Sequence, residues 1–325
     1  MAKTKGTVTE YRNYYLPLHF PVLLLTGEHW KISDVPSGRQ HFHNCLEIGI
    51  CHSDSGTIEI FGEPISFREG DVTVITQNVP HTTYSAPGQE SRWSYIYIDP
   101  RELFKGLLPS TWQNPDLSVY SLKDFQPIFH KDDYPTLHQL VIGTVKELEE
   151  QRLNYQLSAK GLLLSLYIEI YRAQMYEKQG GVSQNSDSVS GISLQELESP
   201  LSIAPALDYI EDNYAQQFTI NDLADLCHWS PTHFRRVFHD IMGTSPLDFV
   251  NNTRITKACM MLRTTEDSIL NISENVGFRS VSSFNRYFIK KMEMSPRDYR
   301  KQMQQSDMRV EGQQIKEYSG WMYPE

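Results

Sequence analysis

A stretch near the C-terminal end of the chain repeats itself fifty residues later. Phe234-Arg235-Arg236-Val237-Phe238 returns as Phe284-Asn285-Arg286-Tyr287-Phe288, Ser245-Pro246 as Ser295-Pro296, and Ser230 as Ser280. Self-similarity at a fixed period marks two copies of one supersecondary unit. Each copy reads as a helix, a tight turn and a second helix.

In the first copy, Ile220, Leu223, Ala224 and Leu226 make a short apolar stripe at helical spacing, and Thr219 is placed to cap it. A turn through Cys227, His228 and Trp229 follows. Ser230 then caps a second helix with Pro231 at its first position, where a missing N–H costs nothing. Phe234, Val237 and Phe238 fall at i, i+3 and i+4 and face a core, which leaves Thr232, Arg235, Arg236 and His239 outward. The second copy repeats the pattern. Ile269, Ile272 and Val276 form its first stripe, Gly277 supplies the turn, Phe278 plugs the core and Ser280 caps. Phe284, Tyr287 and Phe288 pack inward, leaving Ser282, Asn285 and Arg286 outward, with Arg279 at the entry. A longer helix over Pro246–Thr264 links the copies. A helix-turn-helix places its second helix in a DNA major groove. There Arg grips a phosphate or forks onto a guanine edge, and small polar side chains or His read nearby groups. Thr232, Arg235, Arg236, His239, Arg279, Ser282, Asn285 and Arg286 are therefore the expected DNA contacts.

The positions Arg254-Ile255, Ala258, Leu262, Ile269, Ile272, Gly277-Phe278, Ser283-Phe284, Arg286, Phe288, Ser295-Pro296 and Tyr299-Arg300 agree together with one family pattern. Over residues 201–302 the chain resembles AraC/XylS-type transcription regulators. The resemblance implies a seven-helical domain whose two helix-turn-helix units enter successive major grooves on one face of the DNA. It also implies an N-terminal sensor of cupin type. Two positions depart from the pattern. Ser273 stands where the family usually has Ala. Glu293 stands where the second copy usually has Gly, while the first copy keeps Gly243. A left-handed turn suits Gly far better than Glu, so the departure puts that local turn in question.

Charge gives no global field toward DNA. The chain carries a formal net charge of −10, and residues 201–302 hold twelve Lys/Arg against twelve Asp/Glu, a balance of zero. Binding must rest on locally placed groups such as Arg235, Arg236, Arg279, Arg286, Lys290 and Lys291. The four cysteines, Cys45, Cys51, Cys227 and Cys259, lack paired spacing, so ordinary reduced thiols are expected ahead of zinc or disulfides. Lys3 and Lys5 precede no apolar stretch of useful length, and Pro21–Leu25 is far too short for a membrane span; a cytoplasmic chain with no membrane partner is expected.

At 325 residues the chain should form two domains, each with its own core. Gly180–Gly191 is small, polar and unpatterned. The expected division is a first domain over 1–178, a linker over 179–200, the helical domain over 201–302 and a tail over 303–325. Residues 18 to about 100 read as short strands. Period-two alternation in Ile58–Phe61, Val72–Ile75 and Tyr95–Ile98 is punctuated by Gly56, Gly62, Gly70-Asp71 and Pro87-Gly88. Such a pattern favours a small barrel or jelly roll. Helices are expected over 134–152 and 156–178; the second carries so many apolar residues that Leu163, Leu166 and Ile170 are assigned to a homodimer face. The alternative is that this surface only covers the sheet. The fold class is thus multidomain α+β: a cupin-like β-barrel (jelly roll) with two helices, then an all-α domain with two helix-turn-helix units.

Within the strands, His41-Phe42-His43-Asn44-Cys45-Leu46-Glu47, with Gly70-Asp71 and Pro80-His81 further on, resembles the two cupin motifs. In metal-binding cupins the matching positions hold one divalent ion, and period-two spacing does put both histidines on one strand face. Regulators of this architecture usually hold a small effector without metal, so His41, His43, Glu47 and His81 are expected to line an effector pocket with no metal or other cofactor. Trp30, Trp93, Tyr95 and Tyr97 are either sugar-stacking aromatics or core. The reading is a non-enzymatic, sequence-specific DNA-binding transcription regulator. Activation is the family's commoner mode, with RNA polymerase as a further partner and a small molecule, such as a sugar, as effector. The alternatives are a metal-dependent cupin enzyme with an appended DNA module, and a DNA-binding protein whose barrel only dimerises.

Overall fold

The computed structural model describes residues 8–12, 14, 16–17, 20–60, 62–105, 107, 126–180 and 200–306. The linker between its two ends, the tail beyond Ser306 and residues 1–7 lie outside the described residues. The described residues fall into two compact units, one ending at Gly180 and one beginning at Pro200.

The first unit is rich in strands: β1 (Val8–Arg12), β2 (Val22–Leu25), β3 (Lys31–Ile32), β4 (Arg39–His43), β5 (Leu46–Cys51), β6 (Ser55–Ile60), β7 (Glu63–Arg68), β8 (Val72–Ile75), β9 (His81–Ser85), β10 (Ser91–Ile98) and β11 (Ile128–Phe129). Its helices are the short α1 (Pro100–Leu103), then α2 (Pro135–Glu150) and α3 (Tyr155–Gly180). The strands form two sheets, one in the order β1-β4-β9-β6-β7 and one in the order β11-β8-β5-β10-β2. Among the described residues these sheets do not close into a barrel; the arrangement is the open, two-sheet form of the expected jelly roll. β1 lies parallel to β4, and the other pairs are antiparallel.

The sequence explains the layering. β7 alternates toward solvent, with only Phe67 fully buried, as an edge strand exposed on one side should. β5 is buried along its whole length, because it lies mid-sheet with helices over its other face. Leu137, Val141, Val145 and Leu148 of α2 join the same core as Ile48, Val74 and Ile96.

Here one expectation is corrected. Leu163, Leu166 and Ile170 are at most 1% exposed within a single chain, so no partner subunit can reach them. With Ala159, Tyr167 and Ala173 they form the helical stripe that α3 turns into its own domain's core. Along α2, α3 and the turn between them, the large apolar side chains that do face solvent among the described residues are Ile142, Leu153 and Leu157, the last two 92% and 74% exposed. Trp93, Tyr95 and Tyr97 are buried in the core as well, and Trp30 packs at its edge.

The second unit is helical among its described residues: α4 (Pro200–Asn213), α5 (Ile220–Leu226), α6 (Pro231–Met242), α7 (Pro246–Thr264), α8 (Ile269–Asn275), α9 (Val281–Met292) and α10 (Pro296–Ser306). Side-chain caps start most of them. Thr219 and Asp222 form a reciprocal capping box, and Ser230, Ser245, Ser268 and Ser280 each accept from a backbone N–H three residues on. Each such cap contributes about 1 kcal/mol. The 19-residue α7 spans about 28 Å and packs against α6, α8, α9 and α10. From it Arg254 reaches the carbonyls of Tyr214 (2.7 Å) and Gln216 (2.8 Å) and lies over the Phe278 ring.

Candidate DNA-binding face and effector site

The two repeated units build the same object. α5 leads into α6 and α8 into α9, and Phe234, Val237 and Phe238 are as fully buried as Phe284 and Phe288. The turns differ by one residue. In the first, Cys227-His228-Trp229 separates α5 from the Ser230 cap; in the second, Val276 to Arg279 precedes Ser280. Both pass through a left-handed residue, His228 at φ 56° and Gly277 at φ 91°. Gly277 has a second reason to be Gly, since a Cβ there would meet the Ala215 carbonyl oxygen at 2.7 Å.

Both departures from the family pattern are accommodated. The Ser273 hydroxyl is buried and donates to the Leu270 carbonyl at 2.8 Å. Glu293 does adopt the left-handed cap at φ 56°, ψ 15°, close to Gly243 at φ 64°, ψ 8°. For a residue with a Cβ that conformation costs about 1–2 kcal/mol.

Outward from these buried aromatics, Thr232, Arg235, Arg236 and His239 are exposed on α6. On the second unit Arg279, Ser282 and Arg286 are exposed, while Asn285 is half-buried with its side-chain oxygen lacking a hydrogen-bond partner. Arg236 pairs with Asp240 at 3.3 Å, Arg286 lies over the Tyr287 ring, and Arg279 donates to Gln217 at 2.9 Å. Lys291 is turned away from this set. It donates to the Asn252 carbonyl and the Thr256 hydroxyl on α7, and burial lowers its ammonium pKa.

In the first unit, β4 ends at His43, crosses between sheets through Asn44 and Cys45, and re-emerges as β5. That short corner brings Glu47 of one sheet against the histidines of the other. His41 and His43 lie two apart on β4, and His41 stands opposite His81 on β9. All four side chains are buried. Glu47 Oε2 lies 3.1 Å from His43 Nε2 and 3.7 Å from His81 Nε2. One ligand atom from each of the four residues falls within 4.8 Å of the others. The sequence motif therefore does bring these positions together, including His81 from the loosely kept second motif.

The supporting contacts are specific. His43 Nδ1–H donates to the Cys45 carbonyl and His81 Nδ1–H to the Val79 carbonyl, both at 2.9 Å. Burial, joined by the charge of His81, holds His41 well below the ordinary imidazole range; burial also lowers His43, against the pull of Glu47. For Glu47, burial pushes the carboxyl upward, but the neighbouring histidines override it and hold it well below its usual value. Tyr14, which sequence reasoning passed over, caps the group. Its backbone exchanges two hydrogen bonds with the Asn44 side chain, and its ring stacks on Tyr97 at 4.2 Å and meets His43 edge-on. No local motif points to it; it is placed by β1, whose Glu10 and Arg12 lie opposite His41 and His43. The cysteines are free thiols, with Cys45, Cys51 and Cys227 buried. No helix among the described residues is long and apolar enough to cross a membrane.

Comparison with known proteins agrees with this geometry. Residues 26–167 match the AraC-like ligand binding domain and residues 223–302 a helix-turn-helix domain. The melibiose operon regulatory protein of Escherichia coli is 35% identical over 280 residues, 82% of this chain and 84% of its own length. The lactose operon transcription activator of Staphylococcus xylosus is 24% identical over 247 residues, 75% of this chain and 80% of its own. The uncharacterized regulator YobQ of Bacillus subtilis is 33% identical over 95 residues, 29% of this chain and 39% of its own. The chain belongs to the AraC family of transcription regulators, with a ligand-binding sensor unit followed by a DNA-binding unit of two helix-turn-helix modules.

Proposed function

We propose that the protein activates transcription of genes for uptake or breakdown of a sugar, by binding DNA through α6 and α9 in response to a small effector. The observation that carries the reading is the matched pair of helices, each with buried aromatics behind an exposed Arg and polar face, in a chain related to two sugar-operon regulators along most of its length. Thr232, Arg235, Arg236 and His239 contact one groove; Arg279, Ser282, Asn285 and Arg286 contact the next. Effector recognition centres on His41, His43, Glu47 and His81. Four polar side chains buried in an otherwise apolar core are costly to fold around, and a ligand repays that cost.

The protein works in the cytoplasm as a homodimer that recruits RNA polymerase. The dimer face is the outer side of the α2–α3 hairpin around Ile142, Leu153 and Leu157, in place of the buried stripe. It is not an enzyme: its relatives are regulators. The test is to recover the DNA that the full-length protein selects from a genomic library and to titrate that fragment by fluorescence anisotropy with and without candidate sugars. Saturable, salt-sensitive binding that one sugar shifts is the expected result. Binding no tighter to the selected fragment than to unrelated DNA would overturn it.

A further inference from the structure

We infer that Ile289 on α9 reads the 5-methyl group of a thymine in the major groove, at the place where the first unit presents His239. The inference rests on reading α6 and α9 as the groove-entering helices, and it deepens that reading by naming one base.

Position carries it. Ser282, Arg286 and Ile289 fall at i, i+4 and i+7 of α9, on the stripe that faces away from the buried Phe284 and Phe288. Ile289 is 49% exposed, and among the described residues it is the one exposed large apolar residue on either α6 or α9. Helical rise sets it about 4.5 Å along the axis from Arg286, so the two side chains reach neighbouring parts of one surface. Glu293 closes the stripe at the helix end, where a carboxylate repels phosphate, so the groove contact ends at Ile289.

The surroundings select the occupant. A single exposed isoleucine is ordinary on a face that meets only water. This one stands among cations: Arg286 and Lys290 are exposed beside it, and Arg279 is exposed at the entry to the helix. The first copy has Asp240 where the second has Lys290, and its Arg236 is paired with that Asp240, so the second stripe is the more strongly basic of the two. An apolar side chain ringed by cations matches a surface that is anionic around and apolar at one point. In the major groove of DNA the thymine methyl is that point, since every other feature of the base edges is a hydrogen-bond donor or acceptor. Isoleucine can make no hydrogen bond to those other groups, whereas His239 can. The two units thus share a fold and differ in code. The first presents polar side chains at Thr232, Arg235, Arg236 and His239, and the second exchanges the last of these for a methyl-binding one.

The experiment uses the full-length protein and the DNA fragment that it selects from the genomic library. Each thymine in turn is replaced by deoxyuridine, which removes the 5-methyl group and keeps every hydrogen-bonding group. Anisotropy titrations should find one position where the replacement costs the wild-type protein about three- to fivefold in affinity, the factor for one buried methyl group. Ile289→Ala should bind the unmodified fragment more weakly by at least that factor and should no longer distinguish thymine from deoxyuridine at that position. Its melting temperature should match that of the wild type, because the side chain it removes is half in solvent. No sensitive thymine, or equal sensitivity in the wild type and Ile289→Ala, would overturn the inference and leave the DNA-binding reading standing. Unchanged affinity of Ile289→Ala for the fragment would also overturn it and assign the side chain to a protein partner. Binding of the fragment no tighter than unrelated DNA would sink this inference and the regulator reading together.

Discussion

The two units of this protein place their polar chemistry on opposite sides of their cores. In the helical unit the aromatics are inside, and the arginines, Thr232, His239 and Ser282 are outside, where a charged polymer reaches them. In the strand-rich unit the chemistry is inside, with His43 and Glu47 deep among Tyr14, Tyr97 and the core strands. The helical unit therefore presents its polar groups at the surface. In the sensor unit the polar groups are buried, and the function proposed above makes them the effector's partners.

The largest effect that probes this contrast comes from charging the core of the sensor unit. Leu166→Glu buries an unpaired carboxylate and removes a fully enclosed side chain, and should cost that unit about 3 kcal/mol or more. Calorimetry on the full chain should show the sensor transition lost or far lower while a helical transition persists. A stable, folded monomer from Leu166→Glu would restore the intersubunit assignment. Leu157→Glu, at an exposed position, should instead leave the melting temperature unchanged and lower the apparent mass in light scattering.

Within the helical unit, the comparison between its two copies is sharpened by matched substitutions. Arg236→Ala and Arg286→Ala should each weaken binding of the selected DNA by about 1–3 kcal/mol if the side chain reads a base, or reduce the salt slope by about one if it holds a phosphate. Arg236 must first leave Asp240, so its loss should be the less damaging of the two. Anisotropy titrations across a salt series would show that order or its reverse.

The smallest effect is at the helix ends. Glu293→Gly should stabilise the helical unit by about 1 kcal/mol, and Gly243→Glu should destabilise it by a similar amount, because both positions hold a left-handed backbone. Denaturant titration resolves the pair. Equal, near-zero effects would mean that the unfolded chain offsets the strain.

Much of this was legible in the sequence because the helical repeat is written twice, and each copy corroborates the other's caps and stripes. Thr219, Ser230 and Ser280 cap as their spacing predicts, and Phe234 and Phe284 are buried as predicted. The cupin motif located the four clustered residues, since strand period alone places His41 and His43 on one face. The assignment of α3 failed for a physical reason. That helix is apolar around most of its circumference, with Leu162, Leu164 and Ile168 beside the buried stripe, so periodicity did not say which side met the sheet. Tyr14 was invisible because its place depends on a parallel pairing of β1 with β4, which no local pattern announces. Lys291 was misplaced among the outward basic groups because its contact is with α7, which lies far from it in sequence.

The central claim is that two equivalent helices engage DNA side by side. Hydroxyl-radical footprinting of the selected fragment tests it most directly. The wild-type protein should protect two windows on one face of the duplex, about one helical turn or 10 base pairs apart. Arg236→Ala should weaken protection in one window and Arg286→Ala in the other. A single protected window, or two variants that lose protection in the same window, would contradict the account.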